Sequence, residues 1–424
     1  MKSYRDSLYL IDRNFLKIQL LLLFVFIVLE FYYKFFISVQ FDYLGFNYDF
    51  SIVKFFEAKV LYFILIFGSY FMYTRSMFIF SIFILLALFF FIPNAVMFLF
   101  GNGFRGPIYS NFLFILIFIL ISSYKIKLPV FNIPNKYILI SFIGLALVVF
   151  TPIFLVYGFN IHVNTLLLKD IYLTRDAFSA KETSMIKYFY NWEVKTIIPL
   201  LLVYLLINKR QIQAFFVFAM LIYLFLISGN KIVYMTSIIT LFFYFIGKDY
   251  SSKILFFLYG LLLLLFILPI VDFFILNNYL LRGTIVMRTF FFPALLNHCY
   301  FDYFQNFSMY FSENSPFNLF LSSPLDMKSA RIISSVYFQN SDMYANNGIV
   351  SDGFMNLGYL GVLLLSILFG VIFLFFNSLN LSSKYFGVFL AFVFLFLSLP
   401  TFTVIMTGGL WIFALIAFFG LRNN

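Results

Sequence analysis

The chain is short of nearly everything that soluble enzymes are built around. It has one cysteine (Cys299), two histidines (His162 and His298) and two tryptophans, and only 11% of its 424 residues are charged. A single cysteine excludes an internal disulfide, a paired-cysteine redox motif and a cysteine-rich zinc site, and Cys299 itself reads as packing. There is no Walker A loop, no HExxH and no DxD pair, so the usual motifs of a cytosolic reaction fuelled by a nucleotide are missing. Neither a metal nor an organic cofactor is expected. A soluble domain carries about 25% charged residues. This one carries less than half of that.

What fills the chain instead is apolar. Hydrophobic residues make up 63% and the mean hydropathy is +1.01. Many windows exceed the roughly 18 apolar residues that span a bilayer. The sequence therefore predicts an all-α polytopic integral membrane protein, a single transmembrane helical domain over 1–424. About twelve transmembrane helices are expected, near 15–38, 58–74, 77–100, 112–123, 137–157, 196–208, 211–228, 232–247, 254–276, 357–377, 385–400 and 403–421. The first apolar run is too long for a signal h-region and lacks a small-residue cleavage site, so it reads as an uncleaved helix. No internal repeat or separable soluble domain is evident.

The net charge is +11. In a soluble protein that would point to nucleic acid; in this one the basic residues retain loops on the cytoplasmic side, with an anionic substrate as the other source of the excess. With the N-terminus inside, every inner segment is basic: Lys2, Arg5, Arg13 and Lys17, then Arg75, then Lys125, Lys127 and Lys136, then Lys209 and Arg210, then Lys248 and Lys253, then Lys384, and Arg422. Both termini are expected in the cytoplasm. The outer side then holds two large loops, 158–195 and 277–356. The first contains His162 and reads as including an interfacial helix with Ile171, Tyr172, Phe178, Met185, Ile186 and Tyr188 on one apolar side. The second carries nine charged residues (Arg282, Arg288, Asp302, Glu313, Asp326, Lys328, Arg331, Asp342 and Asp352) together with His298 and Cys299. So long a polar excursion in so greasy a chain needs chemistry or recognition to account for it.

Charges within or beside spans default to functional candidates because hydrocarbon penalises them. Glu30 and Lys34 stand four apart on one helix, acid first, and read as a local ion pair. Asp272 is near the outer end of its span and reads as interfacial or functional. Lys231 opens a span in SGNKIVYMTSI; it either snorkels to headgroups or meets a phosphate. Arg282 and Arg288 suit bidentate phosphate contact and equally suit interfacial anchoring, and their spacing of six puts them on different faces of a straight helix. Asp352, in NNGIVSDGFMNLGYLG, is either a helix cap or a carboxylate at the mouth of the membrane, where it could bind sugar or act as a base.

This pattern resembles the Wzy-type O-antigen and oligosaccharide repeat-unit polymerases of bacterial inner membranes. The likeness covers most of the chain in topology. In sequence it rests on SGNKIVYMTSI (228–238), RTFFFPALLNHCYFDYF (288–304) and NGIVSDGFMNLGYLGVLL (347–364). Some members have an Arg or His followed eleven residues later by Gly in each large loop; none of Arg175, Arg282, Arg288, His298 and Arg331 is so followed here. The resemblance implies two periplasmic loops and a substrate glycan linked to undecaprenyl diphosphate. It also implies transfer of that glycan to a new lipid-linked repeat unit at the periplasmic face, with membrane lipids and a chain-length regulator as partners. Such a site needs cations for the departing diphosphate, for which Lys231, Arg282 and Arg288 are the candidates. Asp352 is the first candidate base and His298 the second. Trp192, Tyr300 and Asp302 are candidates for sugar contact. A lipid-linked oligosaccharide flippase is the alternative, though flippases use charges inside their helices and short loops. An O-acyltransferase would want a histidine in or near a span.

Overall fold

The computed structural model describes residues 12–101, 103–131, 133–161, 164–165 and 171–422. In chain order the helices are α1 (Arg13–Gln40), α2 (Ile52–Arg75), α3 (Met77–Phe100), α4 (Arg105–Ser122), α5 (Asn135–Tyr157), α6 (Ile171–Ser179), α7 (Ser184–Ile207), α8 (Gln211–Ser228), α9 (Lys231–Phe245) and α10 (Tyr250–Leu276). They continue with α11 (Arg282–Phe291 running on through Phe292–Tyr303), α12 (Ser329–Phe338), α13 (Ile349–Ser378), α14 (Ser383–Ser398), α15 (Thr401–Ile405) and α16 (Leu410–Leu421). No strand occurs among the described residues. Among the described residues, eight helices are long and apolar enough to cross a membrane: α1, α3, α4, α5, α7, α8, α10 and α13. The protein is an all-α, polytopic membrane protein.

The helices depart from the expected spans mainly at their ends. α7 starts at Ser184 rather than near 196 and so takes in the end of the 158–195 segment, and α13 starts at Ile349 rather than 357. The last expected span is interrupted between Ile405 and Leu410. Hydropathy misses these turns because they carry Glu193, Asp352 and Asn356, all of which are buried against protein. The single interfacial helix expected over 171–188 is two helices, α6 and α7. Thr183 caps the second, its Oγ1 accepting from the Ile186 N–H at 3.4 Å, and of the six residues expected on one side only Ile171, Phe178 and Ile186 are buried. His162 lies outside the described residues.

The chain forms two compact units. The first comprises Met1–Lys125, Tyr250–Asn377 and Phe396–Thr401. Its centre is α3, which is buried throughout the window that defines it as a span. With little water to exclude in a bilayer, such a helix is held by side-chain packing and by a few polar ties. Phe114 and Phe118 of α4 meet Phe369 of α13 with ring centroids 5.0 and 5.6 Å apart. Ser76 Oγ donates to Asn377 Oδ1 at 2.6 Å, and Asn377 Nδ2 donates to the carbonyls of Ser122 and Tyr124. The local pair expected between Glu30 and Lys34 is replaced. Glu30 accepts from Lys59 of α2 at 2.5 Å, while Lys34 sits in a π-helical turn of α1, Tyr33–Ile37, with its ammonium over the Phe35 and Tyr48 rings. The wider turn moves Lys34 off the face that Glu30 shares.

α13 breaks near its start. Leu357 and Gly358 leave helical geometry, Gly358 with φ +59°. The fold back brings backbone onto backbone, so that a Cβ on Gly361 would stand 2.0 Å from the Gly353 carbonyl oxygen. Backbone cannot yield as a flexible side chain does. Gly361→Ala is therefore expected to cost at least 1–3 kcal/mol, roughly the range for overpacking, read as a lowered melting temperature of the purified protein. Gly260→Ala, where a Cβ meets nothing within 4 Å, is the matched mid-helix substitution expected to leave melting unchanged or raise it slightly. Equal melting of both variants would remove the close approach as a determinant of stability.

The second unit comprises Ile126–Asp249, Ser378–Leu395 and Phe402–Asn424. α6 lies against the turn between α8 and α9, where Arg175 Nε donates to the Gly229 carbonyl at 3.1 Å. α7 packs on α5, α8, α9 and α16.

Candidate active site

A cavity of about 500 Å³ lies in the first unit, within the 300–1,000 Å³ typical of small-ligand sites. His298, Cys299 and Asp302 of α11 line it, with Tyr337 of α12, Tyr33 of α1 and Phe104 ahead of α4. Asp42 and Tyr43 contribute from the loop after α1. Five separate stretches of chain thus converge on one hollow.

α11 is what carries the imidazole there. Its first part is π-helical, Arg282–Phe291, and Pro293 opens the α-helical part, where a missing N–H is least costly. The next turns, Ala294 to Phe301, are buried throughout. The His298 ring stands edge-on to Phe104, centroids 5.5 Å apart, and a Cβ on Gly103 would come within 2.8 Å of His298 Cε1, so only glycine at 103 leaves the ring its room. Lys54 Nζ donates to the carbonyls of Gly101 and Gly103 at 3.4 and 3.0 Å and so fixes the segment that covers the ring.

His298 is 8% exposed, and its Nε2 is buried with no hydrogen-bond partner among the described residues. Burial, and secondarily the Lys54 ammonium, push its pKa down to about 4. The ring is therefore neutral at physiological pH. A buried ring nitrogen left unpaired costs about 1–3 kcal/mol, a cost that a bound hydroxyl group would relieve. Asp302 follows four residues later on the same helix and accepts from the Tyr337 hydroxyl at 2.5 Å. Burial, and then Asp302, raise the Tyr337 hydroxyl's pKa. The Cys299 thiol is pushed up to about 12 by burial, with Asp302 adding to it, so it is no nucleophile near neutral pH.

The other residues singled out from the sequence fall elsewhere. Asp352 is buried and tied: Oδ2 accepts from the Thr401 N–H at 2.8 Å and Oδ1 from Asn356 Nδ2 at 3.0 Å. It does not line the cavity. Tyr300 is fully buried, its hydroxyl donating to the Ala345 carbonyl at 2.8 Å, which leaves it no face for a sugar. Arg282 is engaged by Asp272: its Nε and its own N–H both donate to Oδ2, at 3.0 and 2.9 Å, while the Leu281 N–H donates to Oδ1. Its guanidinium also covers the Phe36 ring at 4.4 Å. Arg288 is exposed on the same helix.

Lys231 and Trp192 belong to the second unit. Lys231 is exposed at the start of α9, where Asn230 caps the helix by accepting from the Ile232 N–H. The preceding Gly229 has φ +58°, a left-handed turn that only glycine adopts freely, and Arg175 holds its carbonyl. Two cations beside a helix N-terminus form surroundings suited to an anion. Trp192 donates from Nε1 to the Met406 carbonyl at 2.8 Å and stands edge-on to Trp411. Lys54, Tyr33 and Tyr337 were not singled out from the sequence, and Arg175 figured there only as an arginine with no glycine eleven residues on. Only Lys54 left a signal there, as a base in the first turn after a serine cap.

No family model, no curated protein and no solved structure matches this chain. Among the described residues no group of three or more His, Cys, Asp or Glu is placed to hold a metal ion.

Proposed function

We propose that this chain is an O-antigen polymerase of the Wzy type. It transfers a glycan from undecaprenyl diphosphate to a new lipid-linked repeat unit at the periplasmic face of the bacterial inner membrane. The observation that carries the reading is the free Nε2 of a buried, neutral imidazole in a cavity walled by tyrosines and a carboxylate. Aromatic faces and acidic oxygens are what a sugar's C–H and O–H groups bind. A neutral imidazole is what its hydroxyl needs in order to lose a proton.

In this scheme the acceptor sugar's hydroxyl attacks the anomeric carbon as His298 takes its proton on Nε2. The anomeric C–O bond to the diphosphate breaks and its electrons leave with the diphosphate. The energy comes from that bond, so no nucleotide is consumed. Asp302 and Tyr337 orient the sugar. Arg288, on the helix that carries His298, is assigned to the diphosphate, Arg282 being held by Asp272; Lys231, in the second unit, keeps a separate assignment as a phosphate contact. His298 stands ahead of Asp352 as the base, because both oxygens of Asp352 are bonded. About twelve spans, cytoplasmic termini, periplasmic loops and a separate chain-length regulator belong to the same proposal.

A flippase remains the second reading, favoured by one observation: Glu193 is buried within α7, and buried ionisable groups inside helices are a transporter's feature. Deleting the chain in its host separates the two. Single repeat units still reaching the surface, with all longer chains lost, is the polymerase outcome; loss of all surface glycan is the flippase outcome. In the same assay Arg288→Ala and Lys231→Ala are expected to lose chain extension at undiminished protein level. Normal extension in either variant would remove that residue's phosphate assignment.

A further inference from the structure

The second unit holds an acid for which glycosyl transfer has no use. Glu193 is fully buried in α7, in a span that is mostly enclosed by protein. Both of its carboxylate oxygens lack a hydrogen-bond partner among the described residues. It opens a π-helical turn, Glu193–Ile197, a form of helix that recurs at functional sites.

The neighbouring chain is broken at the same place. α15 ends at Ile405 and α16 begins at Leu410, with Gly409 between them at φ +79°. The break is pinned to α7 on either side of Glu193: Trp192 Nε1 donates to the Met406 carbonyl, and Thr196 Oγ1 donates to the Gly408 carbonyl at 2.9 Å. A Cβ on Gly409 would stand 2.6 Å from Thr196 Oγ1, so the contact is tight. Both donors that flank the acid are thereby spent on the break, and neither remains for the carboxylate.

We propose that Glu193 and the helix break beside it form a proton-binding site inside the membrane bundle. An ionised carboxylate buried without a partner is heavily penalised, and no hydrogen bond from the described residues offsets that. Among the described residues, the titratable groups on the elements packed against this turn are Lys187, Tyr188 and Tyr190 of α7 itself, Lys136, Tyr137 and Tyr157 of α5, Tyr204 further along α7, and Lys231 and Tyr244 of α9; α16 brings none. Of these, none hydrogen-bonds to Glu193. Lys195, two residues on, lies on a different side of the helix. A divalent ion would require more carboxylates than this one, and among the described residues no such group exists. One proton converts the carboxylate to the neutral acid and balances the site by itself. Unwound backbone beside an intramembrane acid is also how membrane proteins couple ion binding to the movement of half-helices. The proposal is independent of the polymerase reading.

Infrared difference spectroscopy of wild type against Glu193→Gln, in sodium-free lipid vesicles, tests this directly. The glutamine variant keeps the size of the side chain, and its folding is checked by its melting temperature. At pH 7 the wild type is expected to show a protonated carboxylic-acid C=O band that the variant lacks and that gives way to the carboxylate band as the pH is raised. Adding sodium chloride at pH 7 should leave that band unchanged. A carboxylate band for Glu193 at pH 7 would overturn the proposal. Loss of the acid band on adding sodium would overturn it as well, by assigning the site to a metal cation.

Discussion

His298→Asn is expected to lower the rate of glycan chain extension by about 10²–10⁴-fold, the usual contribution of a positioned general base, while the protein stays folded at normal level. The asparagine keeps a polar atom near Nδ1 but none that accepts a proton. The pH dependence separates this role from a merely structural one. With its pKa at about 4, the wild-type imidazole is neutral from pH 8 down to about pH 5, so base catalysis should be flat over that range and fall only as the pH approaches 4. Stability moves with a definite sign. The unfolded chain takes the proton near 6.5 and the folded one near 4, so stability is intact above 6.5 and declines as pH falls through the window between them. The variant lacks that decline. Lys54→Met should raise the imidazole pKa by removing the nearby ammonium, which carries the acid limb of the rate profile to higher pH. Unaltered extension by His298→Asn would end the assignment of the base.

Much of the helical layout was legible because hydrocarbon-length apolar runs are a strong signal. What the runs hid were their own polar ends. Glu193 read as loop because a hydropathy window sees only that it is charged, whereas its burial is supplied by α5, α9 and α16, far away in sequence. Asp352 had two open readings, a cap or a base. Its bonds to the Thr401 N–H and Asn356 Nδ2 decide for a structural role, and the first comes from a segment about fifty residues further along the chain. His298 was legible as a candidate, since it is a histidine in a polar excursion. Its surroundings were not: Lys54, Gly103 and Tyr33 reach it from segments 195 and more residues away. The chemistry-bearing residue could be picked out singly, while the cavity that makes it reactive is a product of packing.

The pair Asp272–Arg282 gives the other large expected effect, and it turns on the same distinction. Arginine in that position reads from sequence as a phosphate ligand or an interfacial anchor. In the fold its side chain is 15% exposed and its partner's 0%. Asp272 gathers three donors from Leu281 and Arg282 and so fixes the turn by which α10 hands over to α11. Removing one member of a buried pair strands the other, at a cost of about 3–5 kcal/mol. Asp272→Ala and Arg282→Ala should therefore each lower the melting temperature markedly and reduce the folded protein recovered from membranes. The double variant should lose much less than the sum of the two, because neither charge is left alone. Since α11 carries His298, misplacing its start also misplaces the base, and chain extension should fall in both single variants alike. A diphosphate ligand would behave differently: Arg282→Ala would stop extension with melting unchanged, and Asp272→Ala, which leaves the cation in place, would spare it. That outcome would return Arg282 to the list of substrate contacts and remove the ion pair as the anchor of α11.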